Sequence, residues 1–392
     1  MNGSKHILPI IVFAQFCCTS LWFAGNAVMD ALIANFNLSI SAIGHLTSAV
    51  QFGFIFGAFL FALLCLTDRF SPSKVFFVSA VIAAAFNLMI VMFTHRIFSL
   101  LILRFFTGFF LAGIYPVGMK IASDYYKAGL GKSLGFLVGA LVLGTACPSL
   151  IQGFNTHLPW ELVIWVTSGI SVLGGLLMIV FVPNGPYRKQ ALKLDLSTVF
   201  KVFKKPTFRQ AAFGYFGHMW ELYAFWAFLP VWLLAYQNTH SNVLMSIPLV
   251  TFVVIASGGI ACVISGYLCQ SFGAKRIATI ALMLSGMCCL ISPIIFNFGS
   301  QIVFIGFLVF WGMLVIADSP LFSTVVADNA ILEYKGTALT IVNAIGFAIT
   351  IVSIQILNKL MGSIDVTYLF LPLAIGPLCG VLALIKRRSV KS

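Results

Sequence analysis

The sequence predicts an all-α membrane protein, with twelve transmembrane helices arranged as two pseudo-symmetric six-helix bundles. Three observations lead there. Hydrophobic residues make up 60% of the 392 and charged residues only 8%, against roughly 25% charged in a soluble domain. Twelve apolar runs can be counted, each near the roughly 20 residues that span a bilayer. The chain also repeats. Gly108, Pro116 and Asp124, eight apart, return as Gly312, Pro320 and Asp328 at one offset of 204. A two-fold repeat of membrane helices points to a transporter with its site between the halves.

The runs fall near 7–33, 42–64, 75–94, 99–122, 133–153, 161–183, 210–236, 244–268, 277–297, 301–326, 336–358 and 366–385. The first is expected to be a retained helix, since no small-residue cleavage site follows a short apolar core. The longest polar stretch, 184–209, carries seven Lys and Arg against one acid, Asp195. It divides the chain into a bundle over 1–183, a cytoplasmic linker over 184–209 and a bundle over 210–392. The repeat reaches further. Phe13 and Phe16 match Phe213 and Phe216 at offset 200, and the loop Asp68–Lys74 matches Gln270–Arg276 at 202.

Charge sets the expected orientation. With the amino terminus inside, 19 of the 23 Lys and Arg lie on the inner side and only Arg96 and Lys359 outside; Arg104 and Lys120 fall within run four. That asymmetry predicts both termini in the cytoplasm. The net charge of +13 sits in short clusters between apolar runs, which argues for loops and against a nucleic-acid-binding domain. Nine cysteines lie mostly in apolar runs with no CxxC pair. They read as buried small hydrophobes, with no metal site and no disulfide framework. No GxxxxGK[ST] loop occurs, which excludes an ATP-driven pump within this chain, and no cofactor is expected.

These features together resemble the major facilitator superfamily over the whole chain. Gly266-Tyr-Leu-Cys-Gln-Ser-Phe-Gly273-Ala-Lys275-Arg276 is similar to the superfamily's conserved loop, and Asp68-Arg69 is a partial first-half copy with Leu64 and Ser71 at the usual glycines. Arg104-Phe-Phe-Thr-Gly108 resembles the arginine signature of helix four. LWFAGNAVMDAL, AVQFGFIFGAFL and AGIYPVGMKIASDYY look like a group of bacterial carriers of poorly defined substrate. The resemblance implies a bacterial inner-membrane carrier. It implies that Arg104 faces the cavity and helps couple proton movement to substrate. It implies further that Asp68, Arg69, Asp124, Lys275 and Arg276 lock the inner face while the carrier is open outward. Gly135, Gly139, Gly144 and Pro148 partly resemble an antiporter signature without its glycine–proline pair.

Charged residues inside a bilayer are informative, because each costs ~2.5–3.5 kcal/mol at a helix centre and needs a partner, a wet cavity or a job. Run one carries Gln15, Thr19, Trp22, Asn26 and Asp30 at steps of three and four, one face of a helix. That face fits either a substrate cavity or hydrogen bonds between helices. Asp30 lies near the outer end. Run seven carries Tyr215, His218 and Glu221. His218 and Glu221 are expected to touch as a proton-binding or substrate-binding pair, with a fixed structural pair as the other reading. Tyr115 lies three turns from Arg104 on one face. Lys120 reads as reaching inner water or pairing with Asp124, and Arg69 is the other expected partner of Asp124. Asp318 precedes Pro320, where a kink is expected. The carboxylate there lines a pathway or accepts backbone bonds at the break.

The function these residues point to is secondary active transport of a small solute by alternating access, coupled to protons, in a monomer whose partners are solute, protons and lipid. A drug or metabolite efflux antiporter and a transport-inactive ligand sensor share the fold. A channel is separated by countertransport, which a carrier shows and a channel does not. No nucleophile constellation suggests an enzyme.

Overall fold

The computed structural model describes residues 6–92, 96–126, 130–154, 159–188, 198–240, 243–330 and 335–385. Eleven helices in it are long and apolar enough to cross a membrane. We number the spans α1 to α12: α1 begins at Ile7–Thr19, then α2 (Ala42–Leu63), α3 (Pro72–Met92), α4 (Ile97–Tyr125), α5 (Leu130–Gly153) and α6 (Glu161–Phe181). The second half continues with α7 (Pro206–Thr239), α8 (Ile247–Phe272), α9 (Ala274–Phe298), α10 (Gln301–Asn329), α11 (Lys335–Leu360) and α12 (Val366–Ile385). No strand occurs among the described residues. The chain is an integral membrane protein, as its apolar runs predict.

Four spans depart from straight helices. The expected single helix over 7–33 is broken: α1 stops at Thr19 and continues as two short helices, Ala24–Ala27 and Met29–Phe36. The stripe from Gln15 to Asp30 therefore does not keep one face. α4 breaks between Leu111 and Tyr115, and α10 between Ala317 and Ser319, each resuming with a proline in its first turn. Proline lacks the N–H that an unbroken helix would use there, so the backbone bends at corresponding points of the two halves. α12 opens with 3₁₀ turns at Val366–Tyr368 and Leu371–Ala374.

The glycines of the repeat have a packing cause. A Cβ on Gly108 would strike the carbonyl oxygen of Val50 in α2, and one on Gly312 would strike that of Val254 in α8. The crossing of α4 over α2 thus recurs as α10 over α8, at a separation only glycine permits.

The halves meet along two seams. One joins α5 to α8, where Cβ atoms on Gly139 and Gly259 would lie 3.1 and 3.2 Å from the carbonyl oxygens of Gly259 and Gly139. The other joins α2 to α11, where Gln355 Nε2 donates to Gly44 O (3.0 Å) and Ser48 Oγ (2.7 Å), and Asn358 Nδ2 to Ser41 O (3.1 Å). All three bonds lie near the α2 start and α11 end, a face we call distal. The opposite face carries Arg69, Lys74, Arg188, Lys201, Lys204, Lys205, Arg209, Lys275 and Arg276 among the described residues, whereas the distal face has Arg96 and Lys359. The basic residues at both termini and in the middle of the central loop lie outside the described residues.

Candidate functional site

Inside the helix bundle the site is two buried polar clusters, one per half, separated by a layer of aromatic rings. In the first half Arg104 is 1% exposed. Its guanidinium donates to Leu21 O (3.2 Å), Trp22 O (2.5 Å) and Asn87 Oδ1 (3.3 Å). These carbonyls are the ones the break in α1 leaves without helical donors. A cation at the end of a half-helix also meets its negative pole. Asn87 in turn donates to Ser168 Oγ (3.0 Å). Arg104 therefore does not snorkel to water, and where the family signature implied an arginine facing the cavity, it is spent on the broken backbone of α1.

The second half carries a corresponding lock, built on an acceptor where the first has a donor. Glu221 Oε1 accepts from Ser285 Oγ (2.5 Å), Trp311 Nε1 (2.6 Å) and Cys289 Sγ (3.4 Å). Ser285 and Cys289 are on α9 and Trp311 on α10, as Asn87 and Arg104 are on α3 and α4. Each lock thus ties the first helix of its half to the third and fourth. By the offset of 200, Glu221 corresponds to Leu21, which is wholly buried.

His218 and Glu221 do not pair. His218 Nδ1 lies 2.7 Å from Asp318 Oδ1, both residues 1% exposed. Three residues of helix turn His218 about 60° from Glu221, and donors on α9 and α10 outcompete a neighbour on the same helix. Asp318 caps the second segment of α10, its carbonyl accepting from Leu321 N (3.0 Å) and Phe322 N (2.8 Å). The offset of 204 equates Asp318 with Ile114, so the same break carries an acid only in the second half. His218 Nε2 is buried without a hydrogen-bond partner. Tyr215 packs beside the imidazole, ring centroids 6.0 Å apart.

The aromatic layer joins the halves. Trp22 stacks on Tyr223 (5.7 Å) and Phe347 (5.9 Å) and packs on Phe54 (4.8 Å); Trp226 packs on Tyr223 (5.5 Å) and Phe23 (6.1 Å). Beyond it Asn26 Nδ2 donates to Thr47 Oγ1 (2.7 Å), a bond between helices, and Asp30 is exposed. Two turns before Trp22, Gln15 lays its amide where a Cβ of Gly118 would be, one turn from Tyr115.

At the basic face Lys120 Nζ sits 3.4 Å from both oxygens of Asp124 and 3.9 Å from Asp68 Oδ1. Arg69 is exposed and makes no ion pair with Asp124 among the described residues. Position decides this: Lys120 is one helical turn from Asp124. Arg188, which the sequence did not single out, sits within 2.9–3.1 Å of the carbonyls of Thr67, Asp68 and Phe70. It holds the Asp68 turn from the linker side; its only sequence signal was membership in the linker's basic run. Lys275 donates to Gln210 (3.3 Å) within its own half, and Arg276 lines a cleft of about 670 Å³ with Asp328.

The chain folds as two six-helix bundles, and comparison with known proteins agrees with that fold. The sequence profile of the Major Facilitator Superfamily matches residues 11–354. A putative uncharacterized transporter of Escherichia coli K12, YgaY, is 27% identical over 216 residues, 52% of each chain; the chain spans about half the length of the curated relatives it matches. Among solved structures, the nucleoside transporter NupG superposes with a TM-score of 0.73 at 14% identity, covering 97% of this chain and 99% of that one. The human organic anion transporter MFSD10 gives 0.72 at 14% identity, covering 98% and 100%. The proton:xylose symporter XylE bound to 6-bromo-6-deoxy-D-glucose gives 0.71 at 13% identity, covering 97% and 95%. A repeat-built pair of six-helix bundles and a profile match spanning most of its length make this chain a member of the Major Facilitator Superfamily.

Proposed function

We propose that the protein is a secondary carrier of a small solute in a bacterial inner membrane, working by alternating access and coupled to protons through His218 and Asp318. The observation that carries this reading is the asymmetry between the two ends of the bundle interface. The distal ends of α2 and α11 are hydrogen-bonded to one another. At the basic face the Asp68–Lys120–Asp124 group pairs within its own half. A carrier closed on one side and unlatched on the other is one of the two end states that alternating access requires. In the opposite state, Asp68 is expected to leave Lys120 and latch the basic face against the second half. His218 and Asp318 fit the coupling role because they form a buried, titratable pair at the break of α10, where a change of charge acts on a bend in the backbone.

The test needs no known solute. A cysteine replacing Gln355, at the distal seam, is labelled in membrane vesicles with a membrane-impermeant maleimide at pH 6 and pH 8. Labelling is expected to change severalfold with pH in the parent and to stay flat when Asp318→Asn is added. Asp68→Asn is expected to lower distal labelling, by weakening closure of the basic face, while the protein stays folded. A pH-independent label in the parent refutes proton coupling through this pair, and equal labelling with and without Asp68→Asn removes Asp68 from the gate.

A further inference from the structure

We infer that the transported solute is uncharged and partly planar, bound at the aromatic layer between the halves that Trp22, Gln51 and Trp226 border; this rests on the carrier reading above. The ionisable groups inside the membrane are already committed within one half. Arg104 is spent on two carbonyls and Asn87, Glu221 on three donors, Asp318 on His218, and Lys120 on Asp124. Asp30 is exposed, away from the layer. Beyond the unpartnered Nε2 of His218, whose other nitrogen is held by Asp318, a solute carrying a net charge would meet no free ionisable group in the interior, at a cost of several kcal/mol.

The interface leaves neutral polar groups free. Gln51 is 0% exposed, and neither its amide nitrogen nor its amide oxygen has a partner. The indole N–H groups of Trp22 and Trp226, each 1% exposed, are equally unpartnered. Buried polar groups are nearly always hydrogen-bonded, so a group of orphans asks for an explanation. Gln51 is one turn before Phe54, which packs on Trp22 and, with centroids 4.5 Å apart, on Phe347 of the other half. It is one turn after Ser48, which takes the Gln355 bond across the seam. The orphans therefore border the aromatic layer that joins the halves, and parting the distal seam is the motion that uncovers them. Indole donors and a primary amide, set among ring faces, recognise neutral carbonyl, amide or hydroxyl groups on a flat ring and offer an ion no full charge.

The test uses matched triplets on one ring: nicotinamide, nicotinate and 3-(aminomethyl)pyridine, and benzamide, benzoate and benzylamine. Binding to the purified full-length protein is followed by thermal shift and by quenching of tryptophan fluorescence. The neutral member is expected to bind at least tenfold more tightly than both charged partners in at least one triplet. Gln51→Leu is expected to weaken it about tenfold while the melting point without ligand is kept. Gln51→Glu is expected to move the preference to the aminomethyl member. A panel in which no neutral member exceeds its charged partners overturns the inference, as does a neutral preference unchanged in both variants. A charged preference leaves the carrier reading standing, since seam labelling tests that separately.

Discussion

Asp318→Asn is expected to abolish accumulation driven by a pH gradient, at least tenfold below the parent, while solute exchange across the membrane survives. Glu221→Gln is expected to keep most of both. The contrast follows from where the two acids point. Asp318 faces an imidazole at 2.7 Å and sits at the bend of α10, so asparagine removes the group that can exchange a proton with His218 at a hinge. Glu221 is an acceptor for three donors inside one half, and the amide oxygen of glutamine accepts from the same three. Glu221→Leu is a different matter: it strands the Trp311 N–H and the Ser285 hydroxyl. That costs about 2–6 kcal/mol of stability, at roughly 1–3 kcal/mol for each buried group left unpaired. Transport by the asparagine and glutamine variants in reconstituted vesicles separates the roles. Loss of pH-driven accumulation in Glu221→Gln with retention in Asp318→Asn would exchange them.

Arg104→Met is expected to be the most destabilising single change at the first-half cluster. It leaves the carbonyls of Leu21 and Trp22 and the Asn87 amide oxygen without their donor in the interior of the bundle. The loss is about 3 kcal/mol, after allowing for relief of burying a guanidinium. Arg104→Lys is expected to recover only part of it, since a single ammonium cannot reproduce a planar fork that meets three acceptors. Thermal midpoints in detergent measure both, and a midpoint for Arg104→Met equal to the parent would mean that the break in α1 does not depend on Arg104.

The fold was legible because its signals are long-range and redundant. The composition, the twelve runs and a repeat with one offset agree, and Gly108 and Gly312 could be seen as a pair before their crossings were known. The site was legible in type and not in partnership. Arg104, His218, Glu221 and Asp318 stood out because ionisable groups in apolar runs are costly. Which of them touch depends on α9, which carries no charge between Arg276 and its end. Ser285 and Cys289, the partners of Glu221, look there like ordinary small residues. The break in α1 was hidden for a related reason: the segment 20–28 holds no proline, and what stabilises its bend is an arginine some eighty residues away. At the basic face both Lys120 and Arg69 were expected partners of Asp124, and Lys120 takes it, because a lysine one helical turn away needs no loop to be ordered.

If the α2–α11 seam parts in every transport cycle, fastening it stops transport. Ser48→Cys and Gln355→Cys place two thiols on the residues joined by the 2.7 Å bond across the halves. Either substitution alone is expected to leave transport near the parent rate. Cross-linking the pair with a short, cleavable bifunctional maleimide is expected to stop transport, and cleaving the linker to restore it. Full cross-linking with transport still at the parent rate would contradict the account.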